Sequence, residues 1–431
     1  MNSLASDLNS ALAGTVVARL FSDLGQRMYF PKGIVAQAAE AKQRAHRFNA
    51  TVGMAYSDGH PMTLPVFREL TGDLPTEETV AYAPTAGVPA LRERWAEEIH
   101  RKNPDLTDVP MTKPAVVPGL TAGLAVLADL FVDRDNVVLL PDLFWGNYRL
   151  MFCERRQAQI REFTFFDEAG TFNRQGFAQG ARKAAESGKL IVLLNFPNNP
   201  AGFTPSAEDV AFIRTTLVNL AESVPVVVLS DDAYFGLFYD PQAFPQSIFS
   251  QLATAHPNLL AVKVDGATKE DYVWGFRVGF VTLAFQGMTA EHATAIEQKL
   301  TGTIRSMVSN SSRLSQSLLL RALNDPRYED QKRSAYHELA GRFAELQRIL
   351  AAKASAGRAP MLEPLPCNSG YFMSFRCHGL SAETLRTSLL EAGVGTISVR
   401  DEYLRVAFAG IDAGDLPELY ETIFATAESL A

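Results

Sequence analysis

Cysteine is scarce, with three residues in 431: Cys153, Cys367 and Cys377. That number cannot build a disulfide framework, and the spacing matches no zinc site. The seven histidines are scattered, and none pairs with another at the helical spacing of a metal site. Long apolar runs are missing too. None approaches the ~18 residues of a membrane-spanning helix, and Leu190–Asn195 and Val226–Leu229 are strand-sized. There is no basic excess, because 40 Lys+Arg against 48 Asp+Glu leave a formal charge of −8; this argues against nucleic acid as a partner. The start, Met1–Phe21, has neither the basic residues nor the continuous apolar stretch of a secretion signal, so a reducing, cytoplasmic setting is expected. Leu4, Leu8, Leu12, Val16, Val17, Leu20 and Phe21 are spaced instead like the apolar stripe of a helix.

What is present is the balance of a globular chain with a large core: 47% hydrophobic and 20% charged residues. Apolar runs that read as strands buried on both faces recur at Ala115–Val117, Asn136–Leu140, Ile160–Phe165, Leu190–Asn195, Val226–Ser230, Leu259–Val264 and Phe276–Leu283. Helical periodicity separates them at Val88–His100, Thr121–Phe131, Ala207–Glu222, Thr289–Ile304 and Leu314–Leu323. Strands alternating with helices predict an α/β fold with a mostly parallel sheet. After residue 325 the pattern changes to a long helix over Tyr328–Lys353, short strands at Gly370–Phe375 and Tyr403–Ala407, and a last helix at Leu416–Ser429. The expected division is a large unit at 65–325 and a smaller α+β unit formed by 1–64 with 326–431.

Ligands of open α/β sheets bind beyond the carboxyl ends of the strands, which makes the segment after each strand the informative one. Five of these segments carry chemistry. Asn195-Phe196-Pro197-Asn198-Asn199-Pro200-Ala201-Gly202 is a turn rich in amides and prolines. In Ser230-Asp231-Asp232-Ala233-Tyr234 a carboxylate leaves an apolar strand, which is costly without a cationic partner. In Gly266-Ala267-Thr268-Lys269 a lysine at a buried strand end is poised to lose its proton and act as a nucleophile, with Arg277 following. Gly119-Leu120-Thr121 opens a helix and offers backbone N–H groups to an anion. Trp145-Gly146-Asn147-Tyr148 brings an indole that can cover a flat ring. Taken singly, each is also what an ordinary loop or core contains.

Their order and spacing resemble the fold type I pyridoxal phosphate-dependent transferases, specifically the class I aminotransferases, from about Asn49 to Gly410. The resemblance implies a large domain with a mostly parallel sheet flanked by helices, a smaller α+β domain, and pyridoxal 5′-phosphate as cofactor. Lys269 then matches the lysine that holds the cofactor covalently, and Asp231 the acid that pairs with its ring nitrogen. Tyr234 and Asn199 match the groups on the ring's phenolic oxygen, and Trp145 the aromatic stacked on the ring. Gly119, Leu120, Thr121, Thr268 and Arg277 fall on the phosphate site. Tyr82 looks like the tyrosine that reaches that phosphate across a homodimer interface, so the active sites would be shared. On the substrate side, Arg405 resembles the clamp for the α-carboxylate and Gly53 lies in the segment over the substrate. Arg305 is similar to the arginine that a neighbouring subunit supplies to a second carboxylate, which implies aspartate, glutamate or 2-oxoglutarate for one half-reaction. By the same resemblance the Asn199–Pro200 peptide is cis.

Four positions depart from the pattern. Gly266 stands where many relatives have a phosphate-binding serine, Ser311-Ser312 replaces two prolines near Arg305, and Ala201 replaces threonine. The implied reaction moves an amino group between an L-amino acid and a 2-oxo acid by a ping-pong route. Lyases acting on C–S bonds and amino-acid decarboxylases share the lysine, aspartate and arginine, and a non-catalytic cofactor-binding sensor is a further alternative. A nucleotide-phosphate loop is excluded, since Ser187-Gly188-Lys189-Leu190 lacks both the hydroxyl after lysine and the upstream glycine.

Overall fold

Seven strands form the central sheet of the computed structural model, which describes residues 1–12, 23–27, 34–70, 74–355 and 361–430. They are β1 (Ala115–Val117), β2 (Val137–Pro141), β3 (Gln159–Phe163), β4 (Leu190–Asn195), β5 (Val226–Asp231), β6 (Leu259–Asp265) and β7 (Gly279–Ala284). Their order across the sheet is β1-β7-β6-β5-β4-β2-β3. Strands β2 to β6 run parallel, and β7 is antiparallel to both β6 and β1. Helices cover both faces, so β4 and β5 are buried at every residue. Valine and leucine fill these positions because a strand covered on both sides gains from apolar side chains in either direction, roughly 1.5–3 kcal/mol for each one fully buried.

The register puts Asn195 opposite Asp231, and Asp231 opposite Val264, so the polar ends of β4 and β5 emerge together. A second sheet of four antiparallel strands follows: β8 (Leu362–Pro364), β9 (Met373–Cys377), β10 (Ile397–Val399) and β11 (Tyr403–Val406), in the order β8-β9-β11-β10. The apolar core falls into two clusters, one around each sheet. The Tyr328–Ser355 helix passes from one to the other, with Tyr328 and Leu339 in the larger cluster and Phe343, Leu346 and Ile349 in the smaller.

Several elements differ from the sequence expectation. The last strand begins at Gly279 rather than Phe276, because Trp274–Phe276 form one 3-10 turn and Arg277 takes a left-handed conformation with φ 54°. The Arg174–Ala185 helix went unread, since its buried face is mostly alanine. Residues 149–155 wind as a π-helix. At the start, Ser3–Ala11 is helical; the predicted stripe residues Val16, Val17, Leu20 and Phe21 lie outside the described residues. Among the described residues no helix is long and apolar enough to cross a membrane, and no metal-binding cluster occurs.

Candidate active site

A cavity of about 360 Å³ opens beyond the carboxyl ends of β4 to β6 and is closed on its far side by Arg405 and Phe372 from the smaller sheet region. Asp231 forms its floor. Its carboxylate is buried, accepts a hydrogen bond from the Tyr148 hydroxyl at 2.5 Å and another from the Ala233 N–H at 3.2 Å. Burial pushes its pKa up, against the Tyr148 hydrogen bond and the nearby Lys269 charge.

Lys269 arrives on a single helical turn, Ala267–Glu270, at the end of β6. Its Nζ lies 5.0 Å from the centre of the Tyr234 ring. Burial lowers its pKa to about 8, Asp231 opposes the drop, and Arg277 adds to it. The turn is tight enough to explain Gly266. A Cβ there would sit 2.7 Å from the Val278 carbonyl oxygen and 2.9 Å from Gly279 Cα, so a serine at this position would require the β6 and β7 ends to move apart.

The amide loop is braced from beneath. Asn195 donates to the Asp231 carbonyl at 2.8 Å and accepts from the Asn199 N–H at 2.8 Å, which turns the Asn199 side chain toward the cavity. Both the Asn199–Pro200 and Phe196–Pro197 peptides are cis; the second was not expected. Arg405 projects from β11 and donates to Asn199 Oδ1 at 3.1 Å and to the Thr51 carbonyl at 3.0 Å. Its guanidinium lies 4.3 Å from the Phe372 ring centre. Burial lowers its pKa to about 10, with Tyr234 opposing. Among the described residues its Nε has no hydrogen-bond partner and no carboxylate forms an ion pair with the group. A desolvated guanidinium with free donors is a receptor for a carboxylate. Gly53 lies against this region: a Cβ there would be 3.7 Å from Phe372 Cζ and 3.8 Å from the Tyr234 hydroxyl.

The predicted anion-binding residues lie around the start of the Leu120–Phe131 helix. Gly119, with φ +81°, precedes the Leu120–Phe131 helix and provides no side-chain cap. A Cβ at Gly119 would come within 2.4 Å of Arg277 Nη2, so glycine is required by both backbone conformation and space. Leu120 and Thr121 line the cavity. Thr268 Oγ1 is buried without a partner among the described residues. Half-buried Trp145 forms a wall, edge-on to Tyr148 at 5.6 Å between ring centres.

Thus Lys269, Asp231, Tyr234, Asn199, Trp145, Leu120, Thr121, Gly53 and Arg405 line one cavity; Gly119 and Thr268 adjoin Leu120 and Lys269 in the chain without lining it, and Arg277 packs on Gly119. Two predicted residues stand apart within the single chain. Tyr82 is 90% exposed. Arg305 lies exposed on the Ala290–Val308 helix and donates to Ser309 Oγ at 2.7 Å. Tyr148, Asn195 and Phe372 line the cavity as well, and the sequence pattern assigns none of them a role. Tyr148 follows Trp145 by three residues, and its N–H bonds to the Trp145 carbonyl at 3.0 Å, a turn that brings both side chains to the cavity. The combined donor set is a low-pKa amine, a buried carboxylate, a phenol and an amide. Together with a helix start beside a guanidinium and an unpartnered hydroxyl, it fits pyridoxal 5′-phosphate: an aldehyde, a ring nitrogen, a phenolic oxygen and a phosphate.

A family model described as aminotransferase class I and II matches residues 51–423. The aspartate/prephenate aminotransferase of Thermus thermophilus is 27% identical over 202 residues, covering 46% of this chain and 47% of the relative. The chain spans about half the length of the curated relatives it matches. Among solved structures, an aminotransferase from Anaerococcus prevotii superposes with a TM-score of 0.82 at 21% identity, covering 93% of this chain and 98% of that one. The aspartate aminotransferase of Thermus thermophilus with maleate gives 0.73 at 20% identity, covering 94% and 99%. At such identities the likeness speaks for the fold.

Proposed function

The chain belongs to the class I and II aminotransferase family, whose enzymes use pyridoxal 5′-phosphate, and from that premise we propose that it transfers an amino group between an L-amino acid and a 2-oxo acid by a ping-pong route. One observation carries this reading: a lysine whose amine is shifted to about 8 and an arginine with no carboxylate partner among the described residues share a cavity with a buried aspartate. Lys269 holds the cofactor. Asp231, oriented by Tyr148, faces the ring nitrogen, while Tyr234 and Asn199 bind the phenolic oxygen and Trp145 covers the ring. Gly119, Leu120, Thr121, Thr268 and Arg277 bind the phosphate, joined by the partner subunit's Tyr82 in a homodimer with shared sites.

When bound, the cofactor supplies a ring that accepts the electron pair left when an amino acid loses its α-proton. The chain's residues do the rest. Arg405 binds the α-carboxylate and fixes which bond at Cα stands toward the ring, a positioning effect. Gly53 leaves room for the substrate beside Phe372 and Tyr234. The neutral Lys269 amine takes the α-proton and returns it one atom away, as general base and then acid; an amine titrating near neutrality is suited to both tasks. Asp231 keeps a negative charge at the ring nitrogen, which favours electron flow toward it.

Arg305 from the partner subunit would hold a second carboxylate, so aspartate, glutamate or 2-oxoglutarate is the proposed substrate of at least one half-reaction. The proposed division is 65–325 for the large unit and 1–64 with 326–431 for the small one. The free cysteines Cys153, Cys367 and Cys377 support a reducing, cytoplasmic setting. The test is a half-reaction panel, following the absorbance of the loaded protein with single amino acids. Aspartate and glutamate should each change the spectrum and release one equivalent of oxo acid, and 2-oxoglutarate should reverse the change. Continuous oxo-acid release without a second oxo acid would instead mark a lyase, and aspartate and glutamate ranking poorest would remove Arg305 from the site.

A further inference from the structure

The turn that carries Lys269 is too short to hold itself. An isolated helical turn of four residues fixes several dihedrals for one or two hydrogen bonds and is unstable alone. Its aim must come from outside. The Tyr371 hydroxyl takes the Lys269 carbonyl at 2.9 Å. The two residues that follow, Glu270 and Asp271, are buried carboxylates, and neither faces the cavity.

Both are held by the long Tyr328–Ser355 helix. Lys332 Nζ lies 2.7 Å from Glu270 Oε1 and 2.8 Å from Asp271 Oδ1. Tyr328, one turn earlier on the same face, donates to Asp271 Oδ1 at 2.5 Å. Lys102 of the Pro89–Lys102 helix takes Glu270 Oε1 at 2.8 Å from the other side. Space behind Glu270 is closed as well, since a Cβ on Gly236 would be 3.1 Å from its Oε1. Further along, the long helix grips the chain just past the substrate-side arginine: Arg342 donates to the Ala409 carbonyl at 2.5 Å and to Asp412 at 2.9 Å. One rigid rod therefore touches the segment that aims Lys269 and the segment that follows Arg405.

We infer that Lys332 is a positioning residue: by clamping Glu270 and Asp271 it sets the direction of the Lys269 amine toward Asp231. This inference rests on the role proposed above for Lys269. Among the described residues, Lys332 is the cation that pairs with both of the carboxylates that directly follow Lys269.

The test uses the full-length protein freed of cofactor and mixed with pyridoxal 5′-phosphate. Capture is read as growth of the visible band, and borohydride followed by peptide mass identifies the lysine modified. Lys332→Met should slow capture at Lys269 by about tenfold or more, the scale expected when a reacting group is misaimed. In the loaded enzyme kcat should fall with it while KM holds, because Arg405 is untouched. Lys332→Arg, which keeps a charge that can bridge two carboxylates, should stay within about threefold of wild type in capture rate. Capture by Lys332→Met at the wild-type rate, or no better capture by Lys332→Arg than by Lys332→Met, would overturn the inference. If Lys332→Met does not fold, Tyr328→Phe and Glu270→Gln carry the test, and wild-type capture by both would overturn it equally. Failure of wild type itself to be modified at Lys269 would refute the underlying role instead, so the two failures are distinguishable.

Discussion

Two lysines, one buried and one half-buried, stand six positions apart on either side of the end of β6, and they are opposites. Lys263 lies within the strand, with Nζ 2.5 Å from Asp232 and 3.4 Å from Asp265, over the Phe235 ring. Burial pulls its pKa down, yet the two carboxylates outweigh burial and hold it above the ordinary value. Those carboxylates are themselves supported: Ser247 donates to Asp232 at 2.6 Å, and Trp95 donates to both Asp265 oxygens at 3.2 Å. Lys269 lies just past the strand and forms no ion pair among the described residues; its amine falls to about 8. Consecutive residues of a strand point to opposite faces, so Asp231 and Asp232 serve different lysines across the same sheet. The comparison teaches what separates a structural lysine from a reactive one here. Lys263 is 1% exposed and Lys269 is half-buried on the cavity wall, yet the more deeply buried of the two keeps its proton, so the deciding factor is whether carboxylates reach the ammonium closely enough.

The largest effect should come from removing the reactive member. Lys269→Ala is expected to lower turnover by about 10⁴-fold or more and to abolish the visible band of the loaded protein. Its melting temperature should stay the same or rise, because the substitution removes a half-buried amine that has no ion-pair partner among the described residues. The measurement is kcat with calorimetry on the same preparation. A folded variant that still turned over near the wild-type rate would make the two lysines equivalent and end the contrast.

Removing the structural member should invert the outcome. Lys263→Met leaves Asp232 and Asp265 facing each other in a buried site, and breaking such a pair typically loses about 3–5 kcal/mol. A denaturant titration should show that loss, while borohydride still fixes the cofactor at Lys269 in whatever fraction remains folded. If Lys263→Met were as stable as wild type, the ion cluster would be incidental and the electrostatic account of the pair would need replacing.

Legibility from sequence followed the same divide. Lys269, Asp231, Asn199 and Arg405 each stand at or just beyond an apolar strand, where a polar residue is conspicuous, and the structure brings all four into one cavity. Tyr148 stands between Asn147 and Arg149, and nothing in the sequence gives its hydroxyl a partner; only the packing shows it on Asp231. Lys332 was unreadable for a different reason. It lies on a long, mostly polar helix, and its partners are set by how that helix crosses the sheet, which periodicity does not encode. Phe276 was read into a strand because apolar character is visible in sequence and the left-handed turn at Arg277 is not. Tyr82 and Arg305 are exposed in one chain; their expected roles belong to a second copy.

The smallest effect, and the sharpest for the comparison, is pH dependence. Only the neutral amine can attack the cofactor aldehyde, so capture at Lys269 should rise about tenfold per pH unit below about 8 and level off above it. Stability should respond in the same direction over a higher window. An unfolded lysine keeps its proton up to about 10.5, so between about 8 and 10.5 the unfolded chain binds more protons at this position than the native one. Stability therefore climbs with pH across that window, by at most about 1.4 kcal/mol per unit from this group. Lys263 has the opposite sign. Its native pKa lies above the ordinary value, so its contribution is fully present below 10.5 and is lost as pH rises through the native value. Urea titrations of wild type and Lys269→Ala across the window isolate the first contribution: the difference in their slopes is what Lys269 adds. A capture rate that did not change between pH values below and above 8, together with parallel stability slopes, would mean that Lys269 keeps its proton as firmly as Lys263 does, and burial without a partner would no longer explain its reactivity.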